Sequence, residues 1–524
     1  MNKMKKTVII FASMLAAGTA ASAQGINQSV QVTNDFETEF ADFKKMEPAL
    51  VLPDSLYRFD YSFDYSVFDS PYRGSYEFSP YNVAVVPDVD FAEASRFYLR
   101  AGAGYTLHPV LDVVYTPVSA RGASLSLYNF GKGYYGSSFY DFHDRAGLSG
   151  RWVLSSSVLD YAAGYDGIFT GVQSSAASNY HSGFASLGFR SSSADPTFLS
   201  YALKLDYRYS ADFLPSAETS EHYFRLEGSV GPVIAERYRF LLDFNFDIAA
   251  LGDSRPAVET RIANFAKFKP HLKFTPGVFD IDAGLVVDYL LDGSSRFYLA
   301  PDISAGVDLF DGSMKVTAAF KGGSSVLSYH RLKSLNHFYT RVSSDPDLTR
   351  TRYDASLSVE GSIASRLQYA LSGGYASLAD APLDSLGTLG FADYRLAYAG
   401  ASLCWKSERF DADASMLFRY ADIAPEVNLY APAMFKVDAS MSYNWMKRIY
   451  ASVSVDASSR RVNPSGLAPD IPSYVDLGVG ADYWVRRSLS VWLHLGNLLN
   501  MDIQRCPGFV ESGIYFTMGL ALKF

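Results

Sequence analysis

Several things that a soluble enzyme of this length would normally carry are scarce in the chain. Cysteine is nearly missing: Cys404 and Cys506 are the only two in 524 residues, which excludes a disulfide framework and a multi-cysteine metal centre. The first falls near an expected tight turn and the second in an expected long loop, about a membrane thickness away, so no disulfide is expected between them. No apolar run reaches the roughly 20 residues of a spanning helix; the longest, Thr7 to Gly18, is short and N-terminal. Positive charge is outnumbered, 46 Lys and Arg against 55 Asp and Glu, which makes nucleic acid a poor partner. The eight histidines form no His-Glu-x-x-His motif. The glycine pairs Gly102/Gly104, Gly322/Gly323 and Gly373/Gly374 are followed by no helical pattern, so they are not phosphate loops. No cofactor, no metal and no catalytic residue is expected.

The N-terminus is the first positive signal. Lys3, Lys5 and Lys6, the apolar stretch Val8 to Ala17 and the small-x-small Ala21-Ser22-Ala23 describe a secretory signal peptide over 1–23, cleaved between Ala23 and Gln24. Losing three lysines takes the formal charge from −9 to −12 (−9 − 3). With no cysteine near the cleavage site, a lipid anchor is excluded.

Residues 24–95 read as an irregular periplasmic or lumen-filling extension. Pro48, Pro53, Pro71, Pro80 and Pro87 interrupt it, and Phe59, Tyr61, Phe63 and Tyr65 alternate with Asp60, Ser62 and Asp64. Such aromatics beside carboxylates suit a lumen plug or a sugar-binding surface.

From 96 to 524 the pattern becomes uniform: apolar and polar residues alternate with period two, and aromatics are plentiful, with 37 Tyr and 37 Phe. Phe240, Leu242, Phe244, Phe246 and Ile248 oppose Asp243, Asn245 and Asp247. Phe435, Val437, Ala439, Met441, Tyr443 and Trp445 oppose Lys436, Asp438 and Ser440. The polar face is rich in Asp, Ser, Gly and Ala, small residues that suit a concave lumen, whereas a soluble sandwich would show Thr, Lys, Glu and Arg to bulk water. An open sheet would leave unsatisfied edges in lipid, so the sheet must close. The expected fold is all-β, a transmembrane antiparallel barrel of about 22 strands.

Short turns at Ser155 to Ser157, Thr275 to Gly277, Asp311 to Gly312, Ala364 to Ser365, Lys406 to Glu408, Met446 to Lys447 and Arg486 to Arg487 alternate with longer links. The links expected are Gly131 to His143, Ala250 to Glu259, Gly322 to Arg350, Ala379 to Gly387, Ala421 to Ala431, Arg461 to Pro472 and Leu498 to Glu511. Short periplasmic turns and long external loops are the usual arrangement of outer-membrane barrels.

The last stretch resembles the terminal strand that the barrel assembly machinery reads as a sorting signal. Phe516, Met518, Leu520, Leu522 and Phe524 form its apolar parity, and Tyr515 begins the other. Together with Asn497-Leu498-Leu499-Asn500 it is similar to the end of TonB-dependent receptor barrels. That resemblance implies a 22-stranded barrel in the outer membrane of a diderm bacterium. It covers roughly Phe97 to Phe524. Residues 24–95 are too short for the folded plug that precedes the barrel in that family, so the chain looks like a plug-reduced relative. Ser29, Val30, Gln31, Val32 and Thr33 resemble the peptide such receptors offer to TonB, and equally fit a flexible tail.

Candidate site residues are the recurrent aspartates of the polar parity: Asp411, Asp413, Asp438, Asp476 and Asp482. They are expected to line a cation-leaning lumen or simply to keep it wet. Ser490, His494 and Asp476 or Asp482 raise a hydrolase arrangement; a structural His–Asp contact across strands is the alternative. His330, Arg331, Lys333, His337 and Tyr339 make a basic, aromatic patch, expected in a solvated loop, with binding of an anionic sugar or metal as the other possibility. The expected function is passage or uptake of small polar solutes across the outer membrane, without enzymatic chemistry. A non-conducting scaffold for an outer-membrane complex is the alternative. Partners expected are the bilayer, the assembly machinery, and TonB or outer-membrane lipoproteins.

Overall fold

A computed structural model describes residues 96–524 apart from 121, 173–174, 193–198, 216, 236–237, 256–259, 292–295, 343, 365 and 512. The expected signal peptide, the 24–95 extension and the Val30 to Thr33 peptide lie outside the described residues.

The strands in chain order are β1 Phe97–Tyr105, β2 Val110–Ala120, β3 Ala123–Tyr135, β4 Phe139–Val153, β5 Ser157–Val172, β6 Ser175–Ser191, β7 Ser200–Leu214 and β8 Ala217–Gly231. Then come β9 Val233–Ala235, β10 Tyr238–Asp253, β11 Arg261–Phe274, β12 Phe279–Leu291, β13 Arg296–Leu309, β14 Met314–Val326, β15 Leu348–Ile363 and β16 Leu367–Ser385. The last are β17 Thr388–Lys406, β18 Phe410–Ile423, β19 Phe435–Trp445, β20 Ile449–Ser458, β21 Tyr474–Arg486, β22 Leu489–Gly496 and β23 Tyr515–Lys523. One helix, α1 Tyr329–Leu335, lies between β14 and β15.

Successive strands pair antiparallel, and β1 also pairs with β23, from Tyr98 opposite Lys523 to Tyr105 opposite Phe516. The sheet is therefore a closed ring without edges. Because β9 continues β8 and both pair with β10, the 23 segments form 22 staves. Phe97 and Phe524 exchange backbone hydrogen bonds of 3.0 and 2.9 Å at the seam.

Alternation sorts the side chains. Leu205, Tyr207, Phe240, Leu357, Met416 and Leu520 are exposed on the outer face, whereas Asp212, Glu221, Asp247 and Asp482 are buried on the inner one. The polar parity is thus the lumen. Phe516, Met518, Leu520 and Phe524 point outward, and Tyr515 takes the inner parity, stacked on His108 with ring centroids 4.0 Å apart.

Two expected loops are strand instead. Gly131 to His143 is the tip of the β3–β4 hairpin, and Ala379 to Gly387 is the end of β16 and its tight turn into β17. These last two strands run 19 residues each, well beyond the 9–11 that span a bilayer. A bulge between Leu378 and Ala381, with Asp380 at φ 53°, breaks the alternation that would have announced them. Their projecting ends bury Leu378, Ala381, Leu383, Tyr394 and Leu396 against Leu429 of the β18–β19 loop. The expected short turns fall where the sequence places them. Cys404 lies at the short-turn end of β17 and Cys506 in the β22–β23 loop, both as free thiols.

Candidate functional site

The link between β14 and β15 does not extend into solvent; it folds into the barrel. Ser328 caps α1, its Oγ accepting from the Arg331 N–H at 3.3 Å, and the spacing of Tyr329, Leu332 and Leu335 turns one apolar stripe toward the interior. Tyr329, Leu332, Lys333, Asn336 and Tyr339 are fully buried, packed with Ile168 of β5, Tyr180 of β6, Leu251 of β10 and Leu389 of β17. Strands this far apart around the ring share neighbours only across the lumen. The loop is a cap across the long-loop end of the barrel.

Polar contacts fix the cap to the wall. Lys333 Nζ donates to Asp212 Oδ2 at 2.8 Å and Ser178 Oγ at 2.7 Å, and the Tyr329 hydroxyl donates to the same Asp212 oxygen at 2.6 Å. Both oxygens of Glu221 accept from the Tyr329 N–H at 2.9 Å. His337 Nδ1 lies 2.8 Å from Asp141 of β4, and His330 Nδ1 lies 2.9 Å from the Tyr180 hydroxyl. Burial lowers the Lys333 ammonium from its usual range, opposed by Asp212. It pushes His330 down to about 3, with Arg208 adding to the effect and Asp166 opposing it.

A second loop, between β22 and β23, also turns inward. Asp438, Asp456 and Asp476 stand directly opposite one another on β19, β20 and β21, an arrangement that like charges disfavour. Arg505 answers them: Nη2 lies 2.6 Å from Asp476 and 3.5 Å from Asp456, and Nη1 pairs with Glu511. Burial works to lower this guanidinium, but Glu511, Tyr474, Asp456 and Asp476 together hold it well above its usual value. The two loops meet where Phe338 stacks on Phe509 at 3.6 Å, with Phe139 edge-on to both. Asp384, at the tip of β16, ties in further loops by accepting from Arg461 at 2.7 Å and Asn336 at 3.4 Å. The Gly387 N–H donates to Pro507 O at 3.0 Å.

Below the cap the wall is charged. Asp411, Asp413, Asp438, Asp476 and Asp482 lie on the inner parity of β18, β19 and β21. They occupy one arc only. Across the lumen, β4 to β11 carry Arg151, Arg190, Lys204, Lys267 and Lys269 around a cavity of about 950 Å³. These cations were not singled out by sequence pattern, because they come one or two to a strand from β4, β6, β7 and β11, and only the strand register gathers them. The helix of the cap was missed for a different reason. Ser328 followed by Tyr329, Leu332 and Leu335 is a short helix signal inside a stretch otherwise rich in loop residues.

The patch of His330, Arg331, Lys333, His337 and Tyr339, expected to be solvated, is instead mostly buried, since Asp212, Glu221 and Asp141 supply partners that sequence order hides. The hydrolase arrangement does not assemble. Ser490 and His494 are four residues apart on one strand face, about 13 Å at the strand rise, and the Asp476 carboxylate is engaged by Arg505 and the Asn497 N–H. His494 packs beside Tyr515, centroids 6.0 Å apart. Among the described residues no group of His, Cys, Asp and Glu is placed to hold a metal ion.

A closed barrel sheathed in exposed apolar side chains, with its charges inside, is a membrane-spanning barrel. Its fold is that of the outer-membrane TonB-dependent receptor barrels. The FrpB iron transporter from Neisseria meningitidis superposes with a TM-score of 0.64 at 9% identity, over 82% of this chain and 83% of that one. The ferric-catecholate import receptor Fiu from K12 E. coli gives 0.62 at 10% identity, over 82% of each chain. The copper transporter OprC gives 0.61 at 12%, over 82% of this chain and 80% of that one. No protein-family model matches the chain, and no curated protein matches it in sequence.

Proposed function

We propose that the chain passes or takes up small polar solutes across the outer membrane, through a lumen closed at its long-loop end by its own cap. The observation that carries this reading is the lumen itself: its wall is charged, and the inner face of β3 to β11 borders a cavity of about 950 Å³. A barrel serving only as a membrane anchor has no need of a hydrated interior. The neighbours in fold bear the names of metal transporters and an import receptor, which supports transport over catalysis at that coarse level. On this reading the long-loop end faces outward, the short turns face the periplasm, residues 24–95 are a periplasmic or lumen-filling extension, and TonB engages the Val30 to Thr33 peptide.

The test is planar-bilayer conductance of the mature protein, of a variant lacking residues 24–95, and of Lys333→Ala. Conductance that appears or rises when the cap is loosened supports a capped passage. Silence in all three, with a folded, heat-modifiable barrel on the gel, sinks it.

The interlocked mouth favours a second reading, a closed scaffold for other outer-membrane proteins or lipoproteins. Four loops and the β16–β17 hairpin hold one another through Asp384, Arg505 and the Phe338–Phe509 stack. A scaffold conducts nothing in any variant and co-purifies with stoichiometric partners.

A further inference from the structure

The cavity on the inner face of β3 to β11 has a polarity that its residue count hides. Arg151, Arg190, Lys204, Lys267 and Lys269 share the inner parity of their strands with groups that touch the cap or its flanking loops, such as His143, Tyr180, Asp212 and Arg261, so all five face the lumen. Three carboxylates line the same space, Asp160, Glu227 and Asp243. In the pairs these cations form, the cation is the more exposed partner. Arg151 and Arg190 reach past the one carboxylate they share, Asp160 (2.6 and 3.4 Å). Lys204 lies 2.8 Å from Asp206 and 3.6 Å from Glu227, and Lys269 lies in front of Asp302 at 2.8 Å. Lys267 is 30% exposed while Asp288, 4.0 Å behind it, is 1% exposed and already accepts from the Ser324 N–H. Only Asp243, backed by His271 at 3.1 Å, reverses the order. Arg151, Arg190 and Lys204 are thus the most exposed charges on this wall, at 49–54% against 38–42% for Asp160, Glu227 and Asp243.

We propose that this chamber is an anion-binding site for small hydroxylated solutes carrying a carboxylate or phosphate. It rests on the transport reading above only for its role in passage, since binding stands or falls separately. The volume lies within the range of pockets that enclose small ligands. Two guanidinium forks sharing a single internal carboxylate leave donors for a second, planar oxyanion. Ser124, Ser126, Ser149, Ser186 and Ser229 supply hydroxyls around the charged groups, which suits a sugar-like body better than an aliphatic one.

Calorimetry on the detergent-solubilised mature protein tests this with glucuronate, inorganic phosphate and glucose as probes. Glucuronate should bind at least about tenfold more tightly than glucose, weaken as salt is raised, and lose about tenfold in affinity in Arg151→Gln/Arg190→Gln. Inorganic phosphate that competes with glucuronate assigns the site to oxyanions in general; phosphate that does not compete narrows it to carboxylates. Equal affinity for glucose and glucuronate, or no binding of either anion, overturns the proposal in the wild-type protein alone, without dependence on the fold of a variant. Loss of passage in liposomes with glucuronate binding intact would instead overturn the transport reading and leave the site standing.

Discussion

Lys333 Nζ lies 2.8 Å from Asp212 Oδ2 with neither side chain exposed, although the two residues are 121 positions apart and belong to a loop and to the wall it crosses to reach. Replacing Lys333 by Ala leaves a buried carboxylate with only hydroxyl donors, a loss of about 3–5 kcal/mol for a broken buried pair. The 22-stave ladder does not depend on it, so the barrel should remain heat-modifiable while the cap detaches. Lys333→Met combined with Asp212→Leu, which removes both charges, should lose much less. Limited proteolysis within residues 336–347 measures the difference.

Cys506 offers a direct reporter of that detachment. Burial pushes its thiol well above the usual range, so a maleimide should label it slowly in the native protein. In a Cys404→Ser background, Lys333→Ala should speed labelling at least about tenfold, as expected when a local opening equilibrium moves by more than 1.4 kcal/mol. An unchanged rate would show that the cap remains seated without the pair.

Arg505→Ala should free the β22–β23 loop at neutral pH, since Asp456, Asp476 and Glu511 then face one another without their shared cation. Burial already holds Glu511 above its usual range, opposed by Arg505, and removing the guanidinium raises it further. A carboxyl whose folded value is raised favours the folded form as pH falls through that value. The variant should therefore recover order on mild acidification, seen as slower Cys506 labelling once rates are corrected for thiolate fraction.

The wild-type cap should respond to acid in the opposite sense through His330. Burial holds this imidazole at about 3 against an ordinary value of 6.5. Between those limits the released loop binds a proton that the seated loop does not, so the seated form loses stability as pH falls from 6.5 towards 3. The full window corresponds to at most on the order of 4 kcal/mol. Conductance, or proteolysis by an acid-active protease, should increase over that range in wild type and less in His330→Phe.

Phe338 and Phe509 are the hydrophobic clasp between the two inward loops. A double-mutant cycle to Ala, read by thermal release of the loops, should give a coupling of about 1 kcal/mol. A coupling near zero would mean that the loops seat independently.

The barrel was legible in the sequence because its rule is local. Phe240 to Ile248 and Phe435 to Trp445 announce their faces by alternation, and Met446-Lys447 announces its turn without reference to anything distant. The cap was not, because its partners are remote: nothing near Lys333 points to Asp212, and nothing near Arg505 points to Asp456. The β16–β17 extension failed for a third reason, a bulge at Asp380 that shifts parity just where Pro382 and Asp384 resemble a loop. The predicted aspartates fell on the inner parity, yet the arrangement of charge into two arcs depends on ring closure, which no single strand reveals.

The cap is tethered at both of its ends, since Val326 and Leu348 stand directly opposite one another on β14 and β15 and the Leu327 N–H donates to Asp347 O at 2.8 Å. A detached cap thus stays at millimolar effective concentration above its seat and returns on the nanosecond-to-microsecond timescale of loop motion. Departure, by contrast, must break a buried ion pair. How long each open interval lasts is then set by what holds the loop away rather than by how fast it can come back, and a solute or partner that occupies the vacated seat would act as a timer.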